Sequence, residues 1–317
     1  MKAYPKLDWR TRLLDKLLRL SKPLEQMNRD EIKNASEQQL PALVEQMFAG
    51  KKLPIYEVRE QAVPGRHGDI PIRLYYPTGQ DERPLLAFFH GGGWVYGNFQ
   101  THDRTCRRIS NDANMVVLAV RYRLAPFYKF PTALEDCYDA LSWVVDHASE
   151  LNINAESVSV SGDSAGGNLA ASVCLMARQQ KSLPIERQIL LYPVLSGELE
   201  QPSVEANAEA PVLTKERMQC FVDYYANEVS DVQQPYFSPL LAQDLSGLPP
   251  ALIITAEYDP LHDQAVSYAR RLKVSGVQVK LIDYAGTIHG FISFPPFCKE
   301  ALLAHSEIAN YLSIPQS

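Results

Sequence analysis

From residue 55 onward, short apolar runs alternate with longer amphipathic stretches. Strands are predicted over 55–60, 70–76, 85–89, 116–122, 157–161, 188–192, 251–256 and 279–284. Several of these runs are continuously apolar rather than alternating, as in strands of a parallel sheet covered by helices on both faces. Helices are expected between them, over 105–111, 131–147, 165–179, 263–273 and 299–312. The pattern is that of an α/β chain.

The first fifty residues read differently. Leu13, Leu14, Leu17, Leu18 and Leu20 recur at helical spacing among Arg and Lys, which predicts an amphipathic helix. A second helix is expected over 37–48, stopped by Gly50 and Pro54. A basic amphipathic helix either lies on a membrane surface or packs its leucines on its own chain, and the second is the commoner use. One later interval, 197–244, holds no convincing strand, although Thr214 is placed to cap a helix carrying Met218, Phe221, Val222 and Tyr225. So long an excursion between core strands reads as an insertion, a lid that could meet the N-terminal helices.

Candidate chemistry sits where elements change. Gly162-Asp163-Ser164-Ala165-Gly166 lies between a predicted strand and a predicted helix. A turn that tight exposes the serine hydroxyl and tolerates only small neighbours, and the helix aims free N–H groups at the reaction centre. His90-Gly91-Gly92-Gly93-Trp94 follows another strand, with backbone N–H groups left open to a developing oxyanion. A nucleophilic serine needs a base, and the base needs an orienting acid. His289 lies just past the last predicted strand, where α/β sheets gather ligand-binding groups. His147 and His305 fall within predicted helices and are expected on the surface. Asp259 follows the 251–256 strand, with Glu257 and Asp263 as competitors for the acid. The order Ser164, Asp259, His289 is that of α/β-hydrolases.

Composition narrows the rest. The 317 residues are 46% hydrophobic and 21% charged, enough for one large α/β domain or two small ones. A net charge of −6 without a basic run argues against a nucleic-acid partner. Five scattered cysteines without C-x-x-C spacing predict neither a disulfide framework nor a zinc site. No run approaches the roughly 18 apolar residues of a membrane span, nor is there the apolar stretch of a secretory signal. A cytoplasmic location without stable membrane insertion is therefore expected.

Together, His90–Trp94, Arg121-Tyr122-Arg123-Leu124-Ala125-Pro126, the Asn98 to Asp103 stretch, Gly162–Asn168, Asp259-Pro260-Leu261 and His289-Gly290-Phe291 resemble the hormone-sensitive-lipase-like family of carboxylesterases. Within it, the chain is most similar to bacterial acetyl-esterase-type enzymes. The resemblance spans about residues 55–295 and implies an α/β-hydrolase fold with a mostly parallel sheet and a helical cap. It implies Ser164 as nucleophile, His289 as general base and acid, and Asp259 as its orienter. The oxyanion donors would be the N–H groups of Gly92, Gly93 and Ala165, with Gly91 a weaker candidate. The implied organisation is an N-terminal cap segment over 1–54 and a catalytic domain over 55–317, with a cap insertion near 197–244. A short- to medium-chain acyl ester is the expected substrate, with no metal or organic cofactor, and the assembly state stays open between monomer and homodimer. A lipase for longer acyl glycerides, an amidase or lactonase, and a non-catalytic binding protein of the same fold are the rival readings. One position departs from the family: Phe127 stands after Leu-Ala-Pro, where an acidic residue is usual.

Overall fold

The computed structural model describes residues 4–38, 40–79 and 81–313. Three helices come first: α1 (Trp9–Leu18), α2 (Arg29–Glu37) and α3 (Ala42–Ala49). Eight strands follow: β1 (Glu57–Val63), β2 (Ile70–Tyr76), β3 (Arg83–Phe89), β4 (Val116–Val120), β5 (Ile153–Asp163), β6 (Ile185–Leu191), β7 (Ala251–Tyr258) and β8 (Val279–Ile288). They form one sheet in the order β1-β2-β4-β3-β5-β6-β7-β8, antiparallel at β1/β2 and β2/β4 and parallel from β4 to β8. Between and after the strands run α4 (Phe99–Ala113), α5 (Thr132–Asp146), α6 (Ala165–Gln180), α7 (Pro202–Ala206), α8 (Lys215–Tyr225), α9 (His262–Val274) and α10 (Glu300–Ser313).

The continuous apolar runs have a direct cause. Leu85, Ala87 and Phe89 of β3 join the core beneath α5, α6 and α9. Leu86 and Phe88, alternating with them, join the core beneath α4 and α10. A strand covered on both faces has no polar side to show. None of the helices among the described residues is long and apolar enough to cross a membrane.

The N-terminal region departs from expectation at two points. The helix expected over 37–48 begins only at Ala42, after Pro41. Proline disfavours helical backbone at the residue before it and is itself suited to a helix start. The unexpected α2 begins with a reciprocal cap: the Asn28 side chain accepts the Glu31 N–H at 3.0 Å, and the Glu31 carboxylate accepts the Asn28 N–H at 2.8 Å. Such a box satisfies two otherwise free donors of a helix N-terminus.

Residues 197–244 contain α7, α8 and two short 3-10 turns, and no strand. Thr214 caps α8 as its sequence predicts, its hydroxyl oxygen accepting the Arg217 N–H at 3.1 Å. Met218, Val222 and Tyr225 are buried. The N-terminal segment meets this region through the Arg217–Glu25 ion pair at 3.1 Å. It also reaches the glycine-rich loop, where Tyr96 donates to the Met27 sulfur at 3.4 Å.

Candidate active site

β5 ends at Asp163 and α6 begins at Ala165, leaving Ser164 alone at the elbow with φ 55° and ψ −119°. That strained backbone turns the chain from strand to helix in one residue. The flanking glycines are steric necessities. A Cβ on Gly162 would stand 2.7 Å from the Phe89 carbonyl oxygen, and one on Gly166 would stand 2.7 Å from that of His90. The elbow thus packs backbone to backbone against the end of β3.

Three side chains from three strand ends converge there. His289 Nε2 lies 2.9 Å from Ser164 Oγ. His289 Nδ1 lies 2.7 Å from Asp259 Oδ2. The other carboxylate oxygen of Asp259 accepts the Leu261 N–H at 2.8 Å, which fixes its plane. Asp259 is 1% exposed, His289 5% and Ser164 8%, so little water competes for these hydrogen bonds. Tyr192 packs edge-on against the imidazole at 4.9 Å.

The alternative residues are engaged elsewhere. Asp263 accepts the Ser203 N–H at 2.8 Å. Glu257 holds Lys6 at 2.8 Å and the Gly286 N–H at 2.8 Å. His147 ends α5 and bonds the Trp143 carbonyl. His305 is buried rather than on the surface, at 3% exposure. It lies on the face of α10 that packs toward α4 and the turn after His289, a detail helical periodicity alone does not place.

The glycine-rich loop lies beside the serine. Gly91 donates its N–H to Asp163 Oδ1 at 2.8 Å. Among the described residues, no acceptor takes the N–H of Gly92 or Gly93, which have φ of 113° and 62°. Ala165 opens α6, and first-turn N–H groups have no partner inside their own helix. The Phe221 ring lies where a Cβ on Gly93 would stand.

Behind the loop is a buried polar cluster that the sequence does not announce. His102 Nε2 lies 3.1 Å from Asp163 Oδ1. Burial works against the charge of Asp163, but His102 and the Gly91 N–H outweigh it and hold the carboxyl below its ordinary range. Burial, reinforced by His102, pushes His90 down to about 3, so its imidazole is neutral. Tyr122 stacks on His90 at 4.2 Å and donates to the His90 carbonyl at 2.7 Å.

A narrow cleft opens on Ser164. Its apolar wall comes largely from residues beyond β6, including Val194, Leu213, Met218 and Phe221. Trp94 lines it too, stacked on Tyr225 at 4.4 Å. The other aromatic residues near the motifs do not. Phe127 and Tyr128 are 46% and 50% exposed, and Phe291 is buried in the core. Among the described residues, no group of three or more His, Cys, Asp or Glu is arranged to hold a metal ion.

Residues 86–293 match a family model described by the α/β hydrolase fold. An arylesterase of Saccharolobus solfataricus is 40% identical over 248 residues, covering 77% of this chain and 80% of that protein. An ethyl acetate hydrolase of Pseudomonas putida is 40% identical over 237 residues, covering 73% and 74%. Among solved structures, a hyperthermophilic esterase from the archaeon Pyrobaculum calidifontis superposes with a TM-score of 0.85. It is 39% identical, over 95% of this chain and 97% of that one.

Proposed function

The chain belongs to the hormone-sensitive-lipase-like family of α/β-hydrolases, and we propose that Ser164, His289 and Asp259 are the triad by which it hydrolyses carboxylic esters. The carrying observation is the imidazole held between two partners, 2.9 Å from the serine oxygen and 2.7 Å from the carboxylate. Relatives named arylesterase and ethyl acetate hydrolase support the reaction class.

The ester carbonyl carbon is attacked by Ser164 Oγ while His289 Nε2 takes the hydroxyl proton. Asp259 keeps the ring proton on Nδ1 and stabilises the imidazolium that forms. The N–H groups of Gly92, Gly93 and Ala165 hold the tetrahedral oxyanion, and Gly91, committed to Asp163, holds the loop instead. His289 returns its proton to the departing alcohol. Water, deprotonated by the same imidazole, then cleaves the acyl-enzyme to release the acid and restore Ser164.

Residues 1–54 and the segment near 197–244 act as a cap over the cleft. The Arg217–Glu25 pair and the apolar wall from α8 support this division. A narrow cleft lined by Phe221 and Met218 suits a short- to medium-chain acyl group. A binding-only role has no use for an imidazole bridging serine and carboxylate. Hydrolysis of p-nitrophenyl acetate by Ser164→Ala tests the reading: a folded variant with essentially no turnover supports it, and normal turnover overturns it.

A further inference from the structure

The charge of this chain is unevenly distributed. Its first 22 residues carry seven Lys or Arg against two Asp, leaving 24 basic against 35 acidic residues in the remainder. Helix α1 carries Arg10, Arg12 and Lys16 against Asp15, while Lys6, Arg19 and Lys22 are paired with Glu257, Asp15 and Glu31; the helix has two faces. Inward, Leu14 is fully buried and the Thr11 hydroxyl donates to the Phe297 carbonyl at 3.2 Å. Outward, Trp9 is 67% exposed and Leu13 42%, and Leu20, in the turn just past the helix, is 82% exposed. Trp9, Leu13 and exposed Lys16 fall at i, i+4 and i+7 of the helix, a single stripe that Leu20 follows in the turn after it. The leucine pattern therefore serves two surfaces, only one of which the described residues cover. Helix α3 grips the same Phe297 through a ring contact from Phe48 at 5.9 Å, and leaves Leu43 and Met47 exposed beside it.

We propose that the outer face of α1 docks the protein onto the surface of an anionic lipid bilayer. Tryptophan favours the headgroup level, the leucines fit the acyl boundary, and Arg and Lys meet anionic headgroups. Arg10 lies over the Trp9 ring, 5.5 Å from its centroid, so the aromatic and the cation reach the surface together. A second copy of the chain is a poorer occupant. A two-fold seam would set Arg10, Arg12 and Lys16 against their own counterparts. Nucleic acid would leave the Trp9, Leu13 and Leu20 stripe without an apolar partner. This docking does not depend on the assignment of the triad.

The test is cosedimentation of the full chain with vesicles of phosphatidylcholine alone and of phosphatidylcholine mixed with phosphatidylglycerol. The expected result is binding to the mixed vesicles at low salt, loss at high salt, and little binding to phosphatidylcholine. Tryptophan emission shifts to the blue on binding, and Trp9→Phe removes that shift. Arg10→Gln combined with Lys16→Gln weakens binding roughly thirtyfold, while turnover of a soluble ester shows that the variant is folded. Equal partitioning into both vesicle types overturns the proposal. So does binding that the double variant leaves unchanged, or a concentration-dependent dimer that Leu13→Ser with Leu20→Ser dissolves.

Discussion

Asp163, the residue before the proposed nucleophile, accepts the Gly91 N–H at 2.8 Å and so ties the glycine loop to the serine elbow. The same oxygen pairs with His102 at 3.1 Å. Removing the acceptor frees the loop that carries Gly92 and Gly93. Asp163→Ala is expected to lower kcat by about 10²–10³, the scale of losing an oxyanion donor, with a much smaller change in KM. Asp163→Asn keeps an acceptor for Gly91 and retains far more activity. Steady-state kinetics of the two variants, with thermal unfolding as a control, decides whether the tie acts through the acceptor.

The acid is tested by a pair of variants. Asp259→Asn keeps the shape of the site but cannot stabilise an imidazolium, so kcat should fall by roughly 10³–10⁴. Asp263→Asn removes the charge beside His262 while keeping an oxygen to accept the Ser203 N–H, and should leave turnover within severalfold of the parent. The opposite ranking would assign the wrong carboxylate.

Both results bear on residues with different visibility in the sequence. Ser164, Asp259 and His289 were legible because each follows a strand, and strand ends of α/β sheets meet at one rim. The Asp163–His102 pair was not legible. Its members are far apart in sequence and meet only through the neighbouring positions of β3 and β5, the loop after β3 and the start of α4. The eight strand regions could be read from apolar runs, but β5 begins earlier, at Ile153, because its first residues are too polar to register. Helix α2 carries only Ile32 as a buried residue, too little for periodicity, although Asn28 and Glu31 mark its start. Phe127 and Tyr128 adjoin a motif without lining the cleft. Phe221, which does line it, comes from a distant insertion.

A pH effect on stability follows from His262. Its pairing with Asp283 at 3.5 Å leads, burial opposes it, and Asp263 adds to it, so the imidazole is pushed up to about 9 from 6.5. A raised folded value means the stabilisation is complete below pH 6.5 and is lost as pH rises through 9. The group is partly exposed, so screening reduces the contribution to about 1 kcal/mol. Urea unfolding should show that decline between those pH values, and His262→Asn should remove it. A parallel slope in both proteins would contradict the pairing.

Acyl preference follows from the cleft. Each methylene that fits contributes up to about 0.8 kcal/mol, and the first that does not costs roughly 1–3 kcal/mol. The optimum of kcat/KM is expected at about two to six acyl carbons, falling steeply beyond. Phe221→Ala opens the wall and should move the optimum to longer chains. A maximum at palmitoyl esters, with a rate jump above the solubility limit, would instead make the enzyme a lipase.

The central claim is that Ser164 forms the covalent bond. Intact-protein mass spectrometry after exposure to an organophosphate ester tests it directly, followed by peptide mapping. The account predicts one adduct per chain, on Ser164, with activity lost in proportion to labelling and no adduct on Ser164→Ala. Full inhibition with the adduct elsewhere, or undiminished turnover by Ser164→Ala, would contradict it.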